Sequence, residues 1–149
     1  MKKYLLLFLL APFISNSQIQ IGSDINGEAA GDFFGRSISI SSDGSIVAIS
    51  GPGNDDNGTD SGSIRVYKNE LGVWAQIGND IDGEAASDSF GGTAIEVTIS
   101  GDGTIIAIGA RGNDGNGFAS GHVRIYKNEL GVWTQVGSDI DGENNGDFL

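Results

Sequence analysis

Apolar and polar residues alternate along most of the chain, which is the period of a β-strand. In "RSISISSDGSIVAIS", Ile38 and Ile40 precede an Asp43-Gly44 pair, and the apolar run from Ile46 to Ile49 follows it. An Asp-Gly pair between two β-branched runs is a strong signal for a hairpin. A second copy of the pattern, "VTISGDGTIIAIG", comes later in the chain. We therefore predict short antiparallel strands joined by tight turns.

The next segment continues the alternation and completes a four-stranded unit. "GSIRVYK" places Ile64 and Val66 on one face and Arg65 and Tyr67 on the other. "NELG" then turns the chain, because Gly72 can take a positive φ, and "VWAQIG" forms a last strand. Each unit is thus predicted to contain four strands.

The chain repeats itself. "VYKNELGVWAQIG" returns as "IYKNELGVWTQVG" at an offset of 59 residues. Repeat one covers residues 21–76, repeat two covers 77–135, and a third repeat opens at 136–149. Four-stranded units at this period indicate β-propeller blades, which stack face to face around an axis. We predict an all-β protein with two blades and the start of a third. Two blades leave their outer faces uncovered, so we expect downstream blades or other copies of the chain to cover them.

Several short motifs resemble the FG-GAP repeat family of integrin-like propellers, in its secreted bacterial form. The motifs are Phe34-Gly35 and Phe90-Gly91, "SGP" at 50–52 and "GAR" at 109–111, and the strands "GSIRVY" and "GHVRIY". The resemblance implies a propeller that binds ligands through loops on one face, in some members with calcium.

The first seventeen residues, "MKKYLLLFLLAPFISNS", are typical of a secretory signal peptide. Lys2 and Lys3 precede an apolar run of eleven residues and a small-residue end, and that run is too short for the ~20 residues of a spanning helix. Residues 18–149 carry six Lys and Arg against twenty Asp and Glu, a net charge of −14. Such a charge repels nucleic acid and anionic membranes, so we expect neither as a partner. The chain has no cysteine, so disulfides cannot stabilise it.

Each repeat opens with an acidic segment, which we call a head. Oxygen-bearing side chains stand at positions 1, 3, 5 and 9 of each head, a spacing that can converge on one hard cation. The predicted calcium ligands are Asp24, Asn26, Glu28 and Asp32 in head one, Asp80, Asp82, Glu84 and Asp88 in head two, and Asp139, Asp141, Glu143 and Asp147 in head three. The spacing is similar to that of integrin-type calcium loops. Glycine stands at position 4 instead of 6, however, and the heads precede "FG" instead of joining the first two strands. A solvated acidic turn is the alternative.

A second polar segment joins the second and third strands of each unit. It reads "GNDDNGTDSG" at residues 53–62 and "GNDGNGFASG" at 112–121, and Asp60 in the first copy becomes Ala119 in the second. Loops that vary on a repeated scaffold are typical places for binding specificity. A plain flexible connector is the alternative.

The residues give catalysis little support. The only histidine, His122, replaces Ser63 of the other copy, which indicates a strand-surface residue and not a base. Trp74 and Trp133 recur in register, which favours packing between strands over sugar stacking, and Arg65 and Arg124 are expected to pair with acidic neighbours. We therefore expect a non-catalytic, secreted or cell-surface binding or adhesion scaffold for an extracellular protein or glycan. The alternatives are a substrate-positioning module of an exported hydrolase and a purely structural coat component.

Overall fold

The computed structural model describes residues 18–88 and 97–149, and all regular structure in these two segments is β-strand. The predicted all-β class is therefore confirmed. The predicted signal peptide and the second Phe-Gly motif, Phe90-Gly91, lie outside the described residues. So do the residues near Gly91 to Glu96, where repeat two is three residues longer than repeat one.

Two antiparallel sheets follow one another along the chain, with the same strands in each. The strands of the first are β1 (Ile38–Ile40), β2 (Ile46–Gly51), β3 (Ser63–Glu70), β4 (Val73–Gln76) and β5 (Ile81–Asp82). The strands of the second are β6 (Val97–Ile99), β7 (Ile105–Ala110), β8 (His122–Glu129), β9 (Val132–Gln135) and β10 (Ile140–Asp141). The four main strands of each sheet are paired in chain order, as in propeller blades. We call the sheets blade one and blade two.

The closing edge of each blade is shared with the next repeat. Strand β4 pairs with the second half of β3, from Tyr67 to Glu70, whereas β5 pairs with its first two residues, Ser63 and Ile64. Strand β10 pairs with the start of β8 in the same way. The two-residue strands β5 and β10 belong to heads two and three. Each head therefore extends the sheet of the repeat before it.

Short polar turns set the register of the first hairpin in each blade. The Asp43 carboxylate accepts hydrogen bonds from the Ser41 hydroxyl at 2.7 Å and from the Ser45 backbone N–H at 3.0 Å. These bonds lower the pKa of Asp43 to about 2, with the Ser41 bond contributing most. Gly44 follows at φ 73°. The Asp-Gly hairpin predicted from the sequence is confirmed.

The main core lies between the blades. Blade one contributes Ala48, Ile64, Val66 and Ile81, and blade two contributes Val97, Ile106, Ile108 and Ala110; all eight are buried. Polar contacts run alongside, since the Ser39 hydroxyl accepts from the Ile99 N–H at 3.1 Å. Opposite faces of equivalent strands thus meet, which is the head-to-tail stacking that blades use.

The two outer faces lack such a neighbour within the described residues. Ile38 of β1 is 61 % exposed, whereas its repeat equivalent Val97 is 2 % exposed. At the other end, Ile140 is 52 % exposed and its equivalent Ile81 is 6 % exposed. The same repeat position is therefore buried or exposed according to whether a neighbouring blade covers it.

Candidate functional site

The heads and the loops between the second and third strands lie together along one edge of the blades, which we call the rim. The rim comprises residues 24–32, 53–62, 80–88, 112–121 and 139–147. The Asn57 amide donates to the Gly83 carbonyl at 2.7 Å, and the Ser87 N–H donates to the Thr59 carbonyl at 2.8 Å. In the next copy, Asn116 donates to the Gly142 carbonyl at 2.8 Å. Each loop is thereby held against the head of the following repeat.

Arg65 links heads one and two. It stands on β3 and is 4 % exposed. Its guanidinium forms an ion pair with Glu28 of head one, and its Nε donates to Asp80 of head two at 2.8 Å. Burial works to lower the pKa of Arg65, but the hydrogen bond to Asp80 helps to raise it overall. A buried arginine that bridges two carboxylates is fully compensated in charge.

Arg124 makes the same link between heads two and three. It donates from Nε and Nη2 to the two oxygens of Asp139, at 2.9 and 2.6 Å, and forms an ion pair with Glu84. The fork-to-carboxylate geometry is the strong form of this interaction. Hydrogen bonding from Arg124 lowers the pKa of Asp139. The expected pairing of both arginines with acidic neighbours is confirmed.

The first phenylalanine-glycine motif, Phe34-Gly35, packs beneath Arg65. The Arg65 guanidinium lies 5.3 Å from the centroid of the Phe34 ring, within cation–π range. Phe34 also packs against a second apolar cluster formed by Val47, Ile49 and Tyr67. Gly35 takes φ 91° and donates its N–H to the Ser50 carbonyl at 2.9 Å. The motif therefore anchors head one and supports Arg65.

The ninth residue of each head closes a local turn. Asp32 accepts from the Ala29 N–H at 3.1 Å, Asp88 from the Ala85 N–H at 3.2 Å, and Asp147 from the Asn144 N–H at 2.7 Å. Asp88 also accepts from the Asn113 amide at 3.2 Å. These carboxylates shape the head from within.

The remaining head residues are mostly exposed. Asp24 accepts from Gln20 at 2.8 Å, and the solvent-facing members are Asn26, Glu28, Glu84, Asp141 and Glu143. Asp82 is different, because one of its oxygens is buried without a hydrogen-bond partner among the described residues. Burial, followed by the charges of Asp80, Asp56 and Glu28, raises the pKa of Asp82.

The structure groups the acidic residues differently from the spacing within each head. Oxygens of Glu28, Asp56 and Asp80 lie within 4.8 Å of one another, and they come from head one, a loop and head two. Ligand atoms of Glu84, His122 and Asp139 form an equivalent group. Position 5 of one head thus meets position 1 of the next, and Asp56 and His122 were not anticipated. Only the repeated Arg65 and Arg124 could have indicated this pairing across repeats. Calcium binding by the heads stays a prediction.

His122 lies on strand β8, but its side chain is 1 % exposed, so the expected surface position is wrong. It is buried because the third head covers the start of β8, where Asp141 pairs with His122. Its Nδ1 lies 3.7 Å from Asp139, and burial followed by the charge of Arg124 lowers its pKa.

The two tryptophans pack where the sequence placed them. Trp74 donates from Nε1 to the Ile21 carbonyl at 2.9 Å, and Trp133 donates to the Ile77 carbonyl at 2.9 Å. Trp133 also packs against the core between the blades. Each indole therefore holds the start of its own repeat against the last strand, as the packing interpretation requires.

The loops 53–62 and 112–121 have the same pattern of backbone hydrogen bonds. Gly58 donates to the Asp55 carbonyl and Gly117 to the Asp114 carbonyl, both at 3.1 Å. Gly62 and Gly121 each donate to the carbonyl of the loop asparagine, Asn54 or Asn113, at 3.0 Å. A flexible connector is therefore a poor description of these loops. What differs is the side chains that they present.

Comparison with known families agrees with the geometry. A family model described as FG-GAP repeat matches residues 26–67, from head one to the third strand of blade one. No curated protein matches the chain. In the described part of the chain, no helix is long and apolar enough to cross a membrane. FG-GAP repeats form propeller-type binding modules, are typically non-catalytic and occur in extracellular or cell-surface proteins. Residues 26–67 therefore match the FG-GAP repeat, and the chain carries a second blade of the same strand order.

Proposed function

We propose that this chain is a non-catalytic, secreted or cell-surface binding scaffold, whose ligand, an extracellular protein or glycan, contacts the rim. One observation carries the proposal. The loops 53–62 and 112–121 have matched backbone hydrogen bonds, yet their exposed side chains differ. A rigid, repeated frame with varied side chains is the arrangement that binding surfaces use.

Three positions vary between the loops, and two of them are exposed in both copies, whereas Ala119 is buried and its equivalent Asp60 is exposed. Thr59 of the first loop becomes Phe118 of the second, and Phe118 is 76 % exposed. Exposed aromatic side chains are common at binding hot spots. The second loop is therefore the stronger candidate for direct contact with a ligand.

The experiment is a binding screen of residues 18–149 against immobilised extracellular glycans and matrix proteins. Phe118→Thr, which installs the residue of the first loop, is expected to reduce binding of any hit by about tenfold or more. Leu130→Thr is the matched control, because Leu130 is fully exposed but lies on a hairpin away from the rim. Equal binding by both variants and the unchanged chain would contradict the proposal.

Calcium is proposed as a ligand of the rim of blade one. Glu28, Asp56 and Asp80 offer only oxygen, which suits calcium, whereas the group in blade two includes a histidine nitrogen. The partnerless oxygen of Asp82 supports the proposal, because a cation would satisfy it. Arg65 opposes it, since Arg65 already neutralises two of the three carboxylates.

Calorimetric titration with calcium, and with magnesium for comparison, tests this assignment. Asp56→Asn is expected to abolish calcium binding while it leaves the ion pairs of Arg65 intact. Asp114→Asn, in the equivalent loop of blade two, is the control. Titrations without heat, or a signal that survives Asp56→Asn, would exclude calcium at this group.

The alternative role is to position substrate for an exported hydrolase. The charged rim favours this role only if a polysaccharide or peptide bound there is cut by a linked catalytic unit. A chromogenic substrate screen on secreted material that contains residues 18–149 distinguishes the roles. Hydrolysis that depends on Phe118 would favour the hydrolase module over a simple scaffold.

A further inference from the structure

The chain contains four Asn-Gly pairs, the dipeptide in which asparagine loses its amide most readily. The pairs are Asn26-Gly27, Asn57-Gly58, Asn116-Gly117 and Asn145-Gly146. The reaction needs the glycine nitrogen to reach the asparagine side chain, and glycine offers no Cβ to hinder the approach. As dipeptides the four pairs are equivalent.

The structure separates them by the hydrogen bonding of the attacking nitrogen. Gly58 donates to the Asp55 carbonyl at 3.1 Å, Gly117 to the Asp114 carbonyl at 3.1 Å, and Gly146 to the Phe118 carbonyl at 2.9 Å. Each of these nitrogens must break a bond before it can attack. The Gly27 nitrogen makes no hydrogen bond within the described residues.

Two of the four side-chain amides are also held by hydrogen bonds. Asn57 donates to the carbonyls of Gly83 and Glu84 at 2.7 and 3.2 Å, and Asn116 donates to the Gly142 carbonyl at 2.8 Å. These bonds restrict the rotation that would bring the amide carbon to the glycine nitrogen. Asn26 and Asn145 are exposed, and neither side chain makes a hydrogen bond in the described part of the chain. These two sites therefore differ in the glycine nitrogen, which is bonded at Gly146 and not at Gly27.

We infer that Asn26 is the site at which the folded chain is modified first, by attack of the Gly27 backbone nitrogen on the Asn26 side-chain amide. The nitrogen gives up its proton and bonds to Cγ, and the tetrahedral intermediate expels ammonia to leave a cyclic imide. Water then adds to either imide carbonyl and opens the ring to aspartate or isoaspartate. No oxidant or reductant takes part.

The modification has a defined consequence for the rim. Heads two and three already carry Asp82 and Asp141 at the third position, and only head one carries an amide there. Deamidation with normal linkage therefore gives head one the carboxylate that the other heads encode, and it makes the net charge more negative by one. The exposed position allows this change without loss of fold.

The test is peptide mapping by mass spectrometry of folded residues 18–149 during incubation at mildly alkaline pH. Asn26 is expected to convert several-fold faster than the other three sites, with isoaspartate among its products. In denaturant Asn26 is expected to lose this lead, because all four sites are then free of the fold. Asn26→Gln should remove the first acidic species seen by isoelectric focusing, while the circular dichroism spectrum is unchanged.

Three results would overturn the inference. The first is conversion of Asn57, Asn116 or Asn145 at least as fast as Asn26 in the folded chain. The second is the same order of rates in denaturant, because the difference would then belong to the sequence and not the fold. The third is persistence of the first acidic species in the Asn26→Gln variant.

Discussion

At the scale of single residues, the rim is a series of ion pairs and hydrogen bonds in which the partner of each carboxylate depends on its position in the head. Position 1 of a head holds the arginine of the blade before it, position 5 holds the arginine of its own blade, and position 9 closes a turn. Sequence reasoning identified the acidic residues and the arginines. It could not pair them, because partners in the pairs come from different repeats and depend on how the head folds over the blade.

Asp82 is a residue whose ionised form the fold disfavours. Its folded pKa is raised, so the folded state holds the proton more tightly than the unfolded state does. Asp82 therefore lowers stability when ionised, and this loss disappears as pH falls through its folded pKa. We expect Asp82→Asn to raise the free energy of unfolding at pH 7 by about 0.5 kcal/mol, measured by urea denaturation.

Asp141, the exposed equivalent of Asp82 in the third head, provides the control. Asp141→Asn should leave the urea midpoint of unfolding unchanged. The gain in free energy of unfolding from Asp82→Asn should shrink when the pH is lowered below the range in which carboxylates titrate. A loss of stability on Asp82→Asn at neutral pH would show that its carboxylate is satisfied in a way that the structure does not contain.

At the scale of elements, the hairpins are what the sequence predicted best. The strands flanking Asp43-Gly44 and the positive φ of Gly72 follow from β-branched alternation and turn chemistry, and both are confirmed. The two-residue strands β5 and β10 were missed. Their sequence, Ile-Asp, carries no strand signal of its own, and they pair only because the preceding strand is already in place.

The hairpins β3–β4 and β8–β9 each contain a strained residue that the sequence did not reveal. Leu71 and Gly72 take φ 53° and 88°, as a type I′ turn requires, and Leu130 and Gly131 repeat this geometry at 54° and 86°. A left-handed conformation costs leucine roughly 1 kcal/mol or more. Leu71 is also fully exposed, so no burial offsets this cost.

Replacing this leucine should therefore stabilise the protein. Leu71→Asn is expected to raise the free energy of unfolding by about 0.5–1 kcal/mol, because asparagine tolerates the left-handed region. Leu130→Asn should do the same, and the two gains should add. Val73→Asn, at an exposed strand position beside the turn, should give no gain. Thermal and urea unfolding of the three variants provide the measurement, and a neutral result at both turns would contradict the strain.

At the scale of the whole molecule, the two blades form one face-to-face interface, and each blade has a second face that no neighbouring blade covers within the described residues. Blade one buries one face against blade two. Residues of its own repeat cover Val47 and Ile49 on the other face, but Ile38 there is exposed, as is Ile140 on the far face of blade two. A heterologous interface of this kind continues until it closes. We therefore propose that further blades, downstream or from other copies of the chain, cover the two outer faces.

A pair of equivalent substitutions tests this account of burial. Val97→Asp, between the blades, is expected to lower the free energy of unfolding by about 3 kcal/mol or more, because it buries a charge without a partner. Ile38→Asp occupies the same repeat position on the outer face and should change stability by less than about 0.5 kcal/mol. Similar losses at both positions, measured by urea denaturation of residues 18–149, would mean that a neighbour already covers Ile38.

The central claim is that the two repeats fold into blades stacked face to face. The Ser42 N–H donates to the Gly101 carbonyl across the interface at 2.9 Å. A Cβ added at Gly101 would lie 3.7 Å from the Cβ of Ser42, which is the separation in a disulfide. The chain has no cysteine of its own, so a Ser42→Cys/Gly101→Cys variant reports on this contact alone. Under mild oxidation we expect an intramolecular disulfide to form rapidly and completely in the folded chain. In denaturant it should form slowly. Thiol titration and mass spectrometry measure the extent of disulfide formation over time. Free thiols that persist in the folded chain would contradict the stacked arrangement.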